Sequence, residues 1–241
     1  SNVYSIVHDS NAQKTVIFFR DQANSQLGTV IAGTVSGTSI SFDTKFVVNN
    51  ASTEGHTQNA VFDSTAKKIV IAYRDDGNSS YGEAVVYQTG FSVATGGTIA
   101  DGKAVIVNAN GTVSTVSTST ASLGSITQFE SGGVVYVDIT YDTTNDKVVI
   151  VYRDKGNSDY GTAVVGTVSG ESISFGTPVV YNSAKSGWNA CAFDENAGKV
   201  GVFYEDFGAS RYGKSVVGTV SGTSISFGSE GQFHATQVSD V

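Results

Sequence analysis

KVVIVYRD, running from Lys147 to Asp154, is apolar on both of the faces that a strand would offer. Successive side chains of an extended chain point to opposite sides. Val148, Ile150 and Tyr152 therefore share one face, and Val149 and Val151 the other. A sheet with one wet side alternates apolar with polar residues, so a segment like this one needs cover on both sides. KIVIAYRD, Lys68 to Asp75, reads the same way, with Ile69, Ile71 and Tyr73 opposing Val70 and Ala72.

Working outward, the same grammar occurs four times. An apolar strand ends in Asp9, Asp63, Asp142 or Asp194; a polar turn follows; a second strand ends in Arg20-Asp21, Arg74-Asp75, Arg153-Asp154 or the variant Glu205-Asp206. From the first Asp to the second the separation is twelve residues in every copy. A Gly/Asn/Ser turn comes next (DQANSQLG, DDGNSSYG, DKGNSDYG, DFGASRYG), then a strand such as TAVVGTVSG and a short SISF segment. Turns at this spacing permit antiparallel meanders and leave no room for crossover helices.

The second Asp recurs at intervals of 54, 79 and 52 residues, so one interval carries about 26 extra. The excess falls in Gly90 to Gly133, rich in Gly, Ser and Thr, and reads as an inserted hairpin or loop after a diverged fourth strand. The expectation is a single all-β domain over 1–241: a four-repeat β-propeller with about four antiparallel strands per blade. Its blades lie at about 1–50, 56–108, 134–183 and 187–234, with the insertion at about 109–133, between the second and third blades. The tail GQFHATQVSDV runs into SNVYSIVHD much as NNASTEGHTQ runs into NAVFD, which predicts a closed ring with Val241 near Ser1. An open fragment of a larger propeller and a stacked β-solenoid are the other arrangements compatible with the pattern.

Tyr152 to Tyr181 most closely carries a resemblance to the YRDxGNSxYGTAVVGTVSGTSISFGTPVVF repeat. That repeat belongs to fibre and structural proteins of marine cyanobacterial phages and to secreted repeat proteins of marine bacteria and invertebrates. The resemblance covers nearly all of the chain outside 90–133 and implies a repeat type, with no shared catalytic or ligand residue to carry over. The turn from Asp154 through Gly156 to Tyr160 is also similar to the Asp-box turns of sialidase-type propellers. Its spacing differs, the preceding Ser is absent, and the strands joined are the second and third, so only turn chemistry is implied.

Composition narrows the function. Only 15 % of the 241 residues are charged and the net charge is −8, which repels phosphate backbones and anionic membranes. Nucleic acid is not an expected partner, and no apolar run suggests membrane insertion. With no Met in the sequence, Ser1 reads as the product of processing or the edge of a domain from a longer chain. The single Cys191 occupies a small-residue position, Ala60 standing in its place in the second copy. His8, His56 and His234 are scattered, so no metal is expected, and no cofactor. The segment from Gly97 to Ala104 imitates a phosphate loop, but Ala104 replaces the metal-binding hydroxyl and a strand follows where a helix is required.

Two groups of residues remain as candidates. Asp9, Arg20, Asp21, Asp63, Arg74, Asp75, Asp142, Arg153, Asp154, Asp194 and Asp206 read as repeat-structural: they close turns and pair with one another near blade ends. Asn78, Tyr81, Tyr136, Asn157, Tyr160, Trp188 and Tyr212 would share one propeller rim, because second-to-third-strand turns and blade linkers emerge together. Aromatic planes beside amides suit a sugar, stacking on its CH face and bonding its hydroxyls. The expected function is a non-enzymatic, lectin-like binding or adhesion module. It would recognise glycans multivalently, outside a cell or on a virion surface. The alternative is a structural subunit of a virion fibre or extracellular assembly that contacts a cell-surface or virion protein, or further copies of itself.

Overall fold

The computed structural model describes residues 2–90, 92–94, 105–107, 113–117 and 120–237, with side chains described over 5–53, 59–90 and 120–237. The first repeat comprises β1 (Asn2–Asp9), β2 (Lys14–Asp21), β3 (Leu27–Ser36), β4 (Ser39–Phe42) and the start of β5 (Phe46–Asp63). The second takes the end of β5 with β6 (Lys68–Asp75) and β7 (Tyr81–Gln88); β8 (Ser92–Ala94), β9 (Val105–Val107) and β10 (Val113–Ser117) follow, then β11 (Ser122–Leu123) and β12 (Thr127–Glu130). The third has β13 (Val134–Asp142), β14 (Lys147–Asp154), β15 (Tyr160–Ser169), β16 (Ser172–Phe175) and the start of β17 (Val179–Asp194). The fourth has the end of β17, β18 (Lys199–Asp206), a single 3-10 turn (Phe207–Ala209), β19 (Tyr212–Ser221), β20 (Ser224–Phe227) and β21 (Gly231–Gln237).

The fold is all-β, and every strand pair is antiparallel. Each unit is a four-stranded meander with a short hairpin on its third strand. β5 pairs with β3 through Phe46 and Val47, then leaves to pair with β6 from Gln58 to Asp63. β17 does the same between β15 and β18, so each of these strands is the last of one unit and the first of the next.

The units pack face to face in chain order. Val16, Phe18, Val30 and Ala32 of the first meet Ile69, Ile71, Tyr73 and Tyr87 of the second. Val70, Ala72 and Val86 of the second meet Val148, Ile150, Tyr152 and Ile173 of the third. Val149, Val151 and Val165 of the third meet Val200, Val202, Tyr204 and Ile225 of the fourth. Each unit thus has a leading face, toward the preceding unit, and a trailing face. In β6 and β14 both faces are buried, as their sequences require. In β2 and β18 burial alternates instead. Ile6, Val35, Ile40 and Phe42 stand exposed on the first unit, and Phe203, Val217 and Phe233 on the fourth.

Two expectations are corrected here. Among the described residues no core joins the first unit to the fourth, so the ring of four does not close; Ser1 and Val241 lie outside the described residues. The pattern established that the sheets want cover on both sides, but it carries no information on the angle between neighbours, and that angle decides closure. The insertion also lies earlier than 109–133. β11 and β12 pair with β7 and complete the second unit, so its fourth strand follows the extra chain. Gly124 N–H bonds Val86 O, as Gly176 N–H bonds Val165 O and Gly228 N–H bonds Val217 O, so the hairpin that is SGTS or SGES in the other units is opened at its tip. β8, β9 and β10 form their own small sheet there, and the phosphate-loop-like segment lies outside the described residues.

In the second and third units a Gly at the start of the third strand explains the fit of the fourth. A Cβ on Gly82 would come within 2.4 Å of the Phe129 ring, and one on Gly161 within 2.4 Å of the Tyr181 ring. The aromatic of strand four lies flat over this gap and then reaches the next unit. Phe129 meets Tyr152 and Phe175 at ring distances of 5.3 and 5.7 Å, and Tyr181 meets Tyr204 and Phe227 at 5.1 and 5.6 Å.

Candidate functional site

The turns are built by carboxylates. One oxygen each of Asp9, Asp63, Asp142 and Asp194 accepts two backbone N–H groups, two and three residues on, at 2.8–3.0 Å. At the second turn Asp75 accepts Gly77 N–H, Asp154 accepts Gly156 and Asn157 N–H, and Asp206 accepts Gly208 N–H. Short side chains that bond their own downstream backbone are the usual way to tie such turns. Arg74 meets Asp76 at 2.8 Å and Arg153 meets Asp159 at 3.2 Å, while Asp21 is held by Lys45.

The fourth unit inverts one of these pairs. Glu205 stands at the Arg153 position and Arg211 at the Asp159 position, and they meet at 2.6 Å with the Glu205 side chain fully buried. Phe207 lies under both Arg211 and Lys185, at 4.9 and 5.1 Å from the ring centre.

The second-to-third-strand turns and the unit linkers do share an edge. Val134 N–H bonds Ser80 O, Lys155 N–H bonds Gly133 O, and Ser186 N–H bonds Asp159 O. On this edge strand one carries a bulge, between Val135 and Asp138 in β13 and between Gly187 and Ala190 in β17. Tyr136 and Trp188 occupy the bulges with φ of 54° and 48°. For bulky side chains this left-handed backbone is a genuine outlier, held in place by its surroundings. The two rings meet with centroids 4.7 Å apart and planes tilted by 47°, with the Arg153 guanidinium 4.9 Å from the Tyr136 ring. Trp188 is 41 % exposed. Asn189 donates from Nδ2 to Tyr136 O at 3.4 Å, and Arg153 reaches Ser186 O at 3.4 Å.

The other candidates are placed less tightly. Tyr81, Tyr160 and Tyr212 are half-buried at the starts of β7, β15 and β19. Asn157 is exposed on the turn whose Asp159 anchors Arg153, so this turn borders the Trp188 stack. Asn78 is exposed on its turn, with Nδ2 donating to Glu83 at 3.0 Å; Glu83 also accepts the Tyr73 hydroxyl at 3.0 Å. Burial holds the Glu83 carboxyl above its usual range.

Asp138 was not among the candidates. It sits four residues before Asp142, where the other copies have Ser5, Asn59 and Ala190, and it ties three innermost strands. It accepts Asn59 Nδ2 from β5, Cys191 N–H from β17 at 2.8 Å and its own Ile139 N–H. Desolvation pushes its carboxyl above the usual carboxylate range despite these donors. The signal was present as the one acid in that register, legible only with the four copies aligned at this position. Among the described residues no group of three or more His, Cys, Asp and Glu could hold a metal ion.

No protein-family model matches the chain, and no curated protein matches it either.

Proposed function

We propose that the chain is a four-bladed portion of a β-propeller and serves as a non-enzymatic binding or adhesion module. It recognises glycans through the rim that carries Trp188, at an extracellular or virion surface. One observation carries the reading: an exposed Trp188, set on a bulge with left-handed backbone against the Tyr136 ring, over which the Arg153 guanidinium lies. A braced indole loses little conformational freedom when a sugar's CH face stacks on it. Asp159 and Asn157 beside it supply acceptors and donors for hydroxyls. Repetition of such turns on one edge favours multivalent engagement of a polymeric glycan.

The test is an unbiased glycan array followed by titration of each hit. Trp188→Ala should abolish binding while the far-UV spectrum and melting temperature stay close to those of the parent. Binding unaffected by Trp188→Ala, or no reproducible hit, refutes the proposal. The second reading, a structural subunit of an extracellular or virion assembly, is favoured by a different observation: the uncovered apolar faces of the first and fourth units.

A further inference from the structure

We infer that the leading face of the first unit and the trailing face of the fourth are two halves of one interface, filled when a second copy of this chain docks head to tail. The internal junctions define what such faces take. At the second and third junctions a glycine after the short hairpin strand lies on the trailing side, and the hairpin tip of the next unit on the leading side. A Cβ on Gly124 would fall 1.7 Å from Glu171 O, and one on Gly176 would fall 1.8 Å from Thr223 O. In the fourth unit the corresponding Gly228 has only Val217 O, at 3.8 Å, near its Cβ position. The first unit's tip, Gly37-Thr38, is the counterpart of Gly170-Glu171 and Gly222-Thr223. One socket and one plug of the same kind are left over.

The apolar groups are in matching register. Phe129 and Tyr181 each seat against two aromatic rings of the following unit. Phe233 holds the same place in the fourth unit, 57 % exposed, with the ring of Phe203 beside it at 6.1 Å. The positions that would receive it, equivalent to Tyr152 and Phe175, are Phe19 and Phe42 of the first unit, and Phe42 is exposed. Around Phe203 the fourth unit has an open recess of about 320 Å³ lined by Ala192, Phe193, Gly201 and Val217. The first unit offers Ile6, Val35 and Ile40 to it. A polar pair is also in register: the Thr65 hydroxyl donates to Tyr141, itself bonded to Asp146, across the second junction, and His8 and Asn196 stand at the Tyr141 and Thr65 positions on the two free faces.

The interface is heterologous, since it joins two different patches, so two copies that use both ends form a closed ring of eight units with twofold symmetry. Eight lies within the range of propeller blade numbers. Such an assembly goes beyond the glycan-binding proposal and does not depend on it.

Sedimentation velocity and light scattering over a concentration series test it. The expected species is twice the 25.0 kDa chain. Gly228→Trp should yield monomer with an unchanged melting temperature in dilute solution, because the added ring meets nothing within its own chain. A second variant, carrying Thr38→Cys, Gly228→Cys and Cys191→Ala together, should cross-link on oxidation to a single band at the dimer position. The inference is overturned by a chain that stays monomeric at high concentration, by an oligomer that survives Gly228→Trp, or by an oxidised ladder of higher multiples in place of one dimer band.

Discussion

Val151 and Phe203 occupy the same place in the repeat, on the trailing faces of the third and fourth units, and they should respond to truncation in the reverse order of their size. Val151 is fully buried against the fourth unit, whereas Phe203 is 45 % exposed. Val151→Ala removes two methyl groups at about 0.8 kcal/mol each and leaves a void between packed sheets, for a total of roughly 2–3 kcal/mol. Phe203→Ala removes far more carbon, yet water already reaches about half of it, and the expected cost is about 1 kcal/mol or less. For a chain of this length each kcal/mol moves the midpoint by about 2–4 °C, so Val151→Ala should melt about 5–10 °C lower and Phe203→Ala within about 4 °C of the parent. Thermal melts followed by circular dichroism, in dilute solution where copies are apart, give the comparison. If Phe203→Ala costs as much as Val151→Ala in dilute solution, the trailing face of the fourth unit is covered and the units do not pack simply in chain order.

Arg211→Ala leaves the buried Glu205 carboxylate without its partner and should cost roughly 2–4 kcal/mol in urea unfolding. Exchanging the charges, Glu205→Arg with Arg211→Asp, recreates the Arg153–Asp159 arrangement and should recover most of that loss; no recovery would mean the pair is not interchangeable between units. Gly161→Ala forces Tyr181 off its seat and should destabilise by about 1–3 kcal/mol, read as a drop in melting temperature. Asp138 gives a pH dependence whose sign is fixed by its raised pKa. The folded state keeps the proton where the unfolded chain has released it, so stability is greatest below the ordinary value of 3.8 and falls as pH rises through the folded pKa. Melting temperatures between about pH 3 and pH 7 should show this decline, and Asp138→Asn should flatten it; an identical slope in the variant assigns the effect to other carboxylates.

How far the sequence could be read depended on whether the information was local. The recurring Asp residues were legible as turn formers because an Asx turn is made by a residue and the backbone two and three places on. The partner of Arg153 was not, since Asp159 meets it only when the turn adopts two consecutive left-handed residues, at Ser158 and Asp159. Glu205 was visible as a departure from the Arg of the other three copies; its pairing with Arg211 was not, since that position holds Gln26, Ser80 and Asp159 elsewhere. Tyr136 and Trp188 were legible as aromatics of the linkers; their ring contact was not, because it follows from a bulge that no propensity marks. The bond from Asn78 to Glu83 was not legible either, since it joins the turn to the strand that follows it.

KVVIVYRD by itself determined that a strand here must be buried on both faces, and its recurrence determined how many such strands there are and what separates them. Those are properties of side-chain alternation and turn chemistry, which a few neighbouring residues fix. Only the tertiary structure decided that four units leave two faces bare, that the second unit is completed after its inserted sheet, and that a lone carboxylate ties three inner strands together. Each of these depends on the angle and register between sheets, set by the summed packing of residues far apart in the chain, and no stretch of sequence records that sum.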